Sequence, residues 1–256
     1  MVTRIARFLT LLLLVGSLAP MARAADLITQ RELLSDAQFA LERIADSPKM
    51  ADARALAQHA QAIMIFPNLL KGAFFVGGEG GSGVLLARKP DGSWSYPAFY
   101  TLGSVSFGLQ IGGQSSAAVL LIMNRDALRA IMADQVKLGG DLSAAVGPVG
   151  TGIEASSSTE VGTDIYTYST TKGLFLGASL EGAVLARRED WNAEVYNGET
   201  RPEQIVLYGN FSNPIADSLR AEVAAIGSPA PAQPVQPQQV QPQQVQPQPV
   251  QPQTTQ

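Results

Sequence analysis

The chain has 256 residues, 46% of them hydrophobic and 16% charged, with a formal net charge of −4. This composition suits one globular domain with appendages rather than a disordered or fibrous protein. The absence of cysteine removes disulfides, thiolate metal sites, cysteine nucleophiles and a lipid-modified N-terminal cysteine.

Residues 1–24 read as a secretory leader. Arg4 and Arg7 give a basic start, Phe8 to Leu18 an apolar core, and Ala22-Arg23-Ala24 a small-x-small cleavage site, so the mature chain is expected to begin at Ala25. The apolar stretch is too short to cross about 30 Å of hydrocarbon. Cleavage removes Arg4, Arg7 and Arg23 and no acid, which makes the remainder more acidic. A molecular field of that sign opposes nucleic acid and anionic lipid alike, so any phosphate contact has to be a local basic patch. The expected location is periplasmic or secreted, as a soluble or peripherally membrane-bound protein.

Residues 25–228 form the folded region, about 200 residues, enough to bury roughly 70% of its unfolded surface around one core. Its start is helical: Thr29 and Glu32 have capping-box spacing, and Leu33, Ala37, Ala40, Leu41 and Ile44 make one apolar stripe. Ser47 and Pro48 restart a second helix that is expected to run to about Met64. From Ala73 onward the pattern turns to strands. Val84 to Arg88 and Trp94 to Tyr100 flank Pro90-Asp91-Gly92 as a hairpin, with Pro97 pushing the second strand to an edge. Val105, Phe107, Leu109 and Ile111 alternate with polar or small residues as a half-buried strand, whereas Ala117 to Met123 suits burial on both faces. Asp164 to Thr170 alternates too, placing Tyr166 and Tyr168 on one face. Helices are expected after Asn124, Glu189 and Thr200, and from Asn213-Pro214 to about Ile226. Helices at the ends and strands in the middle define an α+β domain: a curved, mostly antiparallel β-sheet, partly closed, with N-terminal and C-terminal helices packed on it. Residues 229–256 repeat Val-Gln-Pro-Gln in steps of five and read as an extended, polyproline-like spacer, or a contact for a protein or cell-wall partner.

Gly78 to Gly83 satisfies G-x-G-x-x-G, but Val84-Leu85-Leu86 after it reads as strand, so the helix N-terminus that a dinucleotide needs is missing and no nucleotide is expected. His59 is the only imidazole and reads as a partly buried structural residue on a helix. A histidine-cysteine metal cluster is excluded by count, and no cofactor is implied. Carboxylate-only hydrolysis through Glu79 and Glu181 stands as the enzymatic alternative.

Two glycine-laced apolar runs, Phe66 to Gly83 and Tyr168 to Gly182, each contain a Lys-Gly step: Lys71-Gly72-Ala73-Phe74 and Lys172-Gly173-Leu174-Phe175. With Ala62-Ile63, Trp94-Ser95-Tyr96-Pro97, Gly108 to Gly112, Gly147-Pro148 and Ser179-Leu180-Glu181-Gly182, they keep an order that resembles the SYLF family. That family occurs beside Src-homology 3 or zinc-finger modules in eukaryotic endocytic proteins and alone in exported bacterial proteins. Leu176 stands where the family usually has a small alanine, and Thr170-Thr171 where eukaryotic members tend to carry longer polar side chains. The resemblance implies a non-enzymatic domain that binds phospholipid headgroups, phosphoinositides in the eukaryotic members, at a membrane surface. The basic residues nearest the matching segments are Lys71, Arg88, Lys89, Lys172, Arg187 and Arg188, with Trp94 or Phe175 entering the interface. The alternative is an envelope structural or interaction protein that acts through its Pro/Gln-rich tail.

Overall fold

The computed structural model describes residues 29–43, 45–47, 51–74, 76–107, 112–133, 135–147, 162–171, 174–176 and 180–226. The expected leader, the tail, Ile44, Leu109, Ile111 and Lys172 lie outside the described residues. In chain order the elements are helices α1 (29–43) and α2 (Ala51–His59), strands β1 (Ala62–Phe74), β2 (Val76–Ala87), β3 (Ala98–Phe107) and β4 (Gly112–Ile122), and helix α3 (Arg125–Ala133). The short strands β5 (Val136–Lys137), β6 (Ala144–Val146), β7 (Ile165–Thr171), β8 (Leu174–Leu176) and β9 (Val184–Arg187) follow. Helix α4 (Glu189–Val195), a π-helical turn Gln204–Tyr208, a 3-10 turn Pro214–Ala216 and α5 (Asp217–Ile226) follow among the described residues.

All nine strands join one sheet in the order β5-β9-β3-β2-β1-β4-β7-β6, with β8 also on β7. Every pairing is antiparallel except β6 with β7, so the expected α+β architecture is met: a curled sheet with helices at both ends of the chain. The stripe on α1 is buried at Leu33, Ala37, Ala40 and Leu41, and residues 117–122 of β4 are buried throughout, as a run without alternation requires. Asn124 caps α3 by accepting the Ala127 N–H at 2.8 Å.

Four expectations change. The second helix stops at His59, and Ile63 and Met64 belong to β1 instead, because the run Ala62 to Phe66 is buried on both sides of the sheet. A short apolar run carries no period that separates strand from helix. His59 is exposed in the last turn of α2 rather than partly buried. Strand β3 lies between β2 and β9, not at an edge; Pro97 precedes its first residue, so no ladder hydrogen bond is lost. Val105, expected on the buried face of a half-buried strand, is 72% exposed.

The glycine-rich stretch of β2 has a packing reason. Strand β1 bulges between Phe66 and Leu69, where Pro67 lacks a ladder N–H. A Cβ at Gly83 would overlap the Phe66 ring and the Ile65 carbonyl, and one at Gly81 would overlap the Asn68 carbonyl. The Asn68 amide in turn donates to Asp36 of α1 at 2.9 Å, which ties that helix to the bulge. At the other side, β9 ends at Arg187 and the buried Asn192 amide continues its role, accepting the Phe99 N–H at 2.8 Å and donating to the Phe99 carbonyl at 3.3 Å. Trp191 meets Phe99 edge-on at 5.8 Å, which seats α4 on the sheet.

Candidate functional site

The turn predicted at Pro90-Asp91-Gly92 forms, with Gly92 at φ +84° and the Asp91 carboxylate accepting from the Ser93 N–H and hydroxyl at 2.9 and 2.7 Å. Those two bonds hold the Asp91 carboxyl below its usual value. Arg88 and Trp94 pair across the turn, and Ser95 doubles the link by exchanging bonds with Ala87. The chain thereby presents Arg88, Trp94 and Tyr96 to one cavity of about 570 Å³, whose opposite wall is α5 with Asp217 and Arg220.

Each arginine in the cavity rests on an aromatic ring. The Arg88 guanidinium lies 4.6 Å over the Trp94 ring and reaches the Gln58 and Ala60 carbonyls at 3.4 Å, where the α2 end leaves carbonyls without helical partners. Arg220 lies 4.6 Å over the Tyr96 ring, and its Nε donates to the Trp94 carbonyl at 2.7 Å. Tyr96 donates its hydroxyl to Asp217 at 2.9 Å, and Asp217 stands 3.8 Å from an Arg220 terminal nitrogen. The terminal nitrogens of Arg220 donate no hydrogen bond among the described residues, so this guanidinium, which lines the cavity, is fixed at its Nε and ring face and paired at 3.8 Å with Asp217.

Of the residues the sequence singled out, the structure brings Arg88, Lys89 and Trp94 together, Lys89 being part of the turn that carries Gly92 and Ser93 into the cavity wall. Trp94 is 3% exposed: it is a wall under Arg88, and its indole has no free surface to enter a membrane interface. Arg187 sits elsewhere, paired with Glu189 at 2.7 Å and donating to the Ala133 carbonyl of α3 at 2.9 Å. Arg188 forks onto Asp190 at 2.9 and 2.7 Å and lies 3.9 Å over Trp191, so both cations are already matched. The Arg188 bond holds the Asp190 carboxyl low despite its partial burial. Lys71 is exposed on β1 opposite Glu79 and Gln114. It lies ten strand residues, about 30 Å, beyond Gln61, whose carbonyl accepts the Arg88 N–H. Phe175 belongs to β8 and pairs with Thr170, on the outer side of β7 and away from β2. Glu79 lies in β2 and Glu181 in the turn before β9, with β3 between those two strands.

Sequence reasoning missed Arg220, Asp217 and Tyr96. Trp94-Ser95-Tyr96-Pro97 was legible as a motif, but Arg220 is 126 residues from the carbonyl it binds, and its i,i+3 spacing from Asp217 resembles an ordinary surface ion pair.

A curled, mostly antiparallel sheet with helices at both ends and an aromatic-backed arginine cavity places the chain in the α+β class. The family profile Ysc84, described as Las17-binding protein actin regulator, matches residues 103–226. An SH3 domain-containing protein of Schizosaccharomyces pombe is 36% identical over 156 residues, 60% of this chain and 36% of the relative. SH3 domain-containing YSC84-like protein 1 of Bos taurus is 35% identical over 57% of this chain and 43% of its own length. LAS seventeen-binding protein 3 of Saccharomyces cerevisiae is 32% identical over 58% and 33%. Residues 103–226 therefore match the Ysc84, or SYLF, family, and the chain spans between a third and a half of the length of these relatives.

Proposed function

We propose that this chain binds the phosphate of phospholipid headgroups at a membrane surface, without catalysis, and that it does so at the Arg88–Arg220 cavity. The observation that carries the reading is the pair of arginines lining one cavity, each held by a ring and by backbone carbonyl bonds before any ligand arrives. A pre-set guanidinium loses little freedom when it binds, and a phosphate accepts from it through two parallel bonds. The molecule carries 22 acidic against 18 basic residues, so attraction acts only at short range and weakens with salt. Lys89 adds a positive charge to the turn that carries Gly92 and Ser93 into the cavity wall. An exported protein acting at the envelope side of a membrane fits this chemistry together with the leader read from residues 1–24. The actin-regulating description belongs to the family's eukaryotic names and is not part of this proposal.

The test is sedimentation with sucrose-loaded vesicles of phosphatidylethanolamine and phosphatidylglycerol. Wild type is expected to co-sediment in a salt-sensitive way, and truncation after residue 228 should leave this unchanged. The Arg88→Gln/Arg220→Gln double variant should bind at least about tenfold more weakly, as loss of charge-assisted contacts requires. Unaltered binding by a folded double variant would refute the site, and tail-dependent binding would favour the envelope-interaction reading.

A further inference from the structure

We propose that the group this cavity recognises is zwitterionic: a phosphate joined by a short carbon bridge to a protonated primary amine, as in a phosphoethanolamine group. This rests on the reading of the cavity as a phosphate site and adds what lies beside the phosphate. The cavity is not a plain cation patch. Its wall carries Arg88 and Arg220, but also Asp217, whose carboxylate is 3.8 Å from Arg220. Asp217 Oδ1 accepts the Tyr96 hydroxyl at 2.9 Å, whereas Oδ2 has no donor among the described residues, and the side chain is 57% exposed. A ligand bearing only negative charge, seated on the Arg220 fork, would lie beside that carboxylate and be repelled by it. A ligand whose ammonium lies next to its phosphate turns the same carboxylate into a partner.

The aromatic rings decide which ammonium. A quaternary ammonium donates no hydrogen bond and is held by open aromatic faces. Here Arg88 covers a face of Trp94, itself 3% exposed, and Arg220 covers a face of Tyr96. What remains toward the cavity is a set of acceptors suited to a primary ammonium with three N–H donors: Asp217 Oδ2 and the Ser93 hydroxyl in the cavity wall. Phosphate on the arginines and ammonium on Asp217 therefore satisfy both signs in one cavity of about 570 Å³.

The same chemistry occurs in a lipid headgroup and in soluble phosphoethanolamine, and the experiment separates them. The full chain is titrated with phosphatidylcholine vesicles carrying either phosphatidylethanolamine or N-acetylated phosphatidylethanolamine, which keeps the phosphate and loses the ammonium. Wild type is expected to prefer the unmodified lipid by about tenfold, the scale of one charge-assisted contact. Asp217→Asn, which keeps an acceptor for Tyr96, should abolish that preference, while Asp126→Asn, an equal charge change on an exposed pair of α3, should preserve it. Soluble phosphoethanolamine that displaces protein from vesicles makes the lipid the source, and saturable binding of the soluble compound with no vesicle binding makes a free metabolite the source. Equal binding of the two lipids, a preference that survives Asp217→Asn, or equal displacement by glycerol 3-phosphate overturns the zwitterion assignment. Retention of all vesicle binding by the double arginine variant instead overturns the phosphate site beneath it.

Discussion

The two ends of the long strands β1 to β4 contrast in how they treat their side chains. At the end where β2 leaves the sheet, Arg88, Trp94, Tyr96, Asp217 and Arg220 are locked to one another by ring stacking and hydrogen bonds around a cavity. At the opposite end the register runs Leu70–Gly80–Gly103 and Gly72–Gly78–Val105, with Leu70 65% and Val105 72% exposed. Cross-strand partners share a face, so at this end Leu70, Val105 and the glycines that pair between them share one face and Lys71 lies on the reverse. The first end is held in one arrangement by contacts within the chain itself. The second holds the glycine-rich stretch of β2, and what its glycines serve at Gly81 and Gly83 is passage of the β1 bulge beside β2.

The strongest way to break this contrast is Gly83→Val. A side chain there meets the Phe66 ring and the Ile65 carbonyl inside the sheet, so a loss of more than about 3 kcal/mol, or failure to fold, is expected in urea denaturation. A loss under about 1 kcal/mol would show that the glycine is not needed for packing. Trp94→Ala comes next: removing a buried indole that backs Arg88 should cost about 3 kcal/mol and lower vesicle binding. Leu70→Ala and Val105→Ala at the other end should each stay within about 0.5 kcal/mol, since little of either side chain is buried. Similar losses at both ends would erase the distinction.

A smaller effect concerns pH. Asp164 anchors the start of β7 near the end of β4; burial pulls its carboxyl upward, but bonds from Asn124 at 2.7 Å and from the Ser143 hydroxyl and N–H at 2.7 and 2.9 Å outweigh it. The folded carboxyl thus titrates below its ordinary value. Its contribution is fully present above about pH 4 and is lost as pH falls through the lowered value. Asp164→Asn should accordingly be less stable than wild type at neutral pH, and the two denaturation midpoints should converge in acid. A gap that persists or widens in acid would contradict the sign.

Much of the sheet was legible because β4 and β7 announce themselves by run and by alternation, and the Pro90-Asp91-Gly92 turn fixes the Arg88–Trp94 pairing locally. The β1 start was not, since Ala62 to Phe66 carries no period that separates a buried strand from a helix end. Half of the cavity was readable because Arg88, Lys89 and Trp94 flank one turn; the other half comes from α5 and meets them only in three dimensions. Arg187 and Arg188 are the instructive excess. Each is matched by an acid two positions on, Glu189 and Asp190, a neutralisation visible in the sequence once strand β9 is known to stop there.

Hydrogen exchange of the full chain with and without phosphatidylethanolamine-containing vesicles tests most directly which end meets the membrane. Slowed exchange over residues 88–96 and 217–224, with residues 70–80 unaffected, is the predicted footprint. Protection confined to residues 70–80 and 103–107, with the turn and α5 unaltered, would contradict the account.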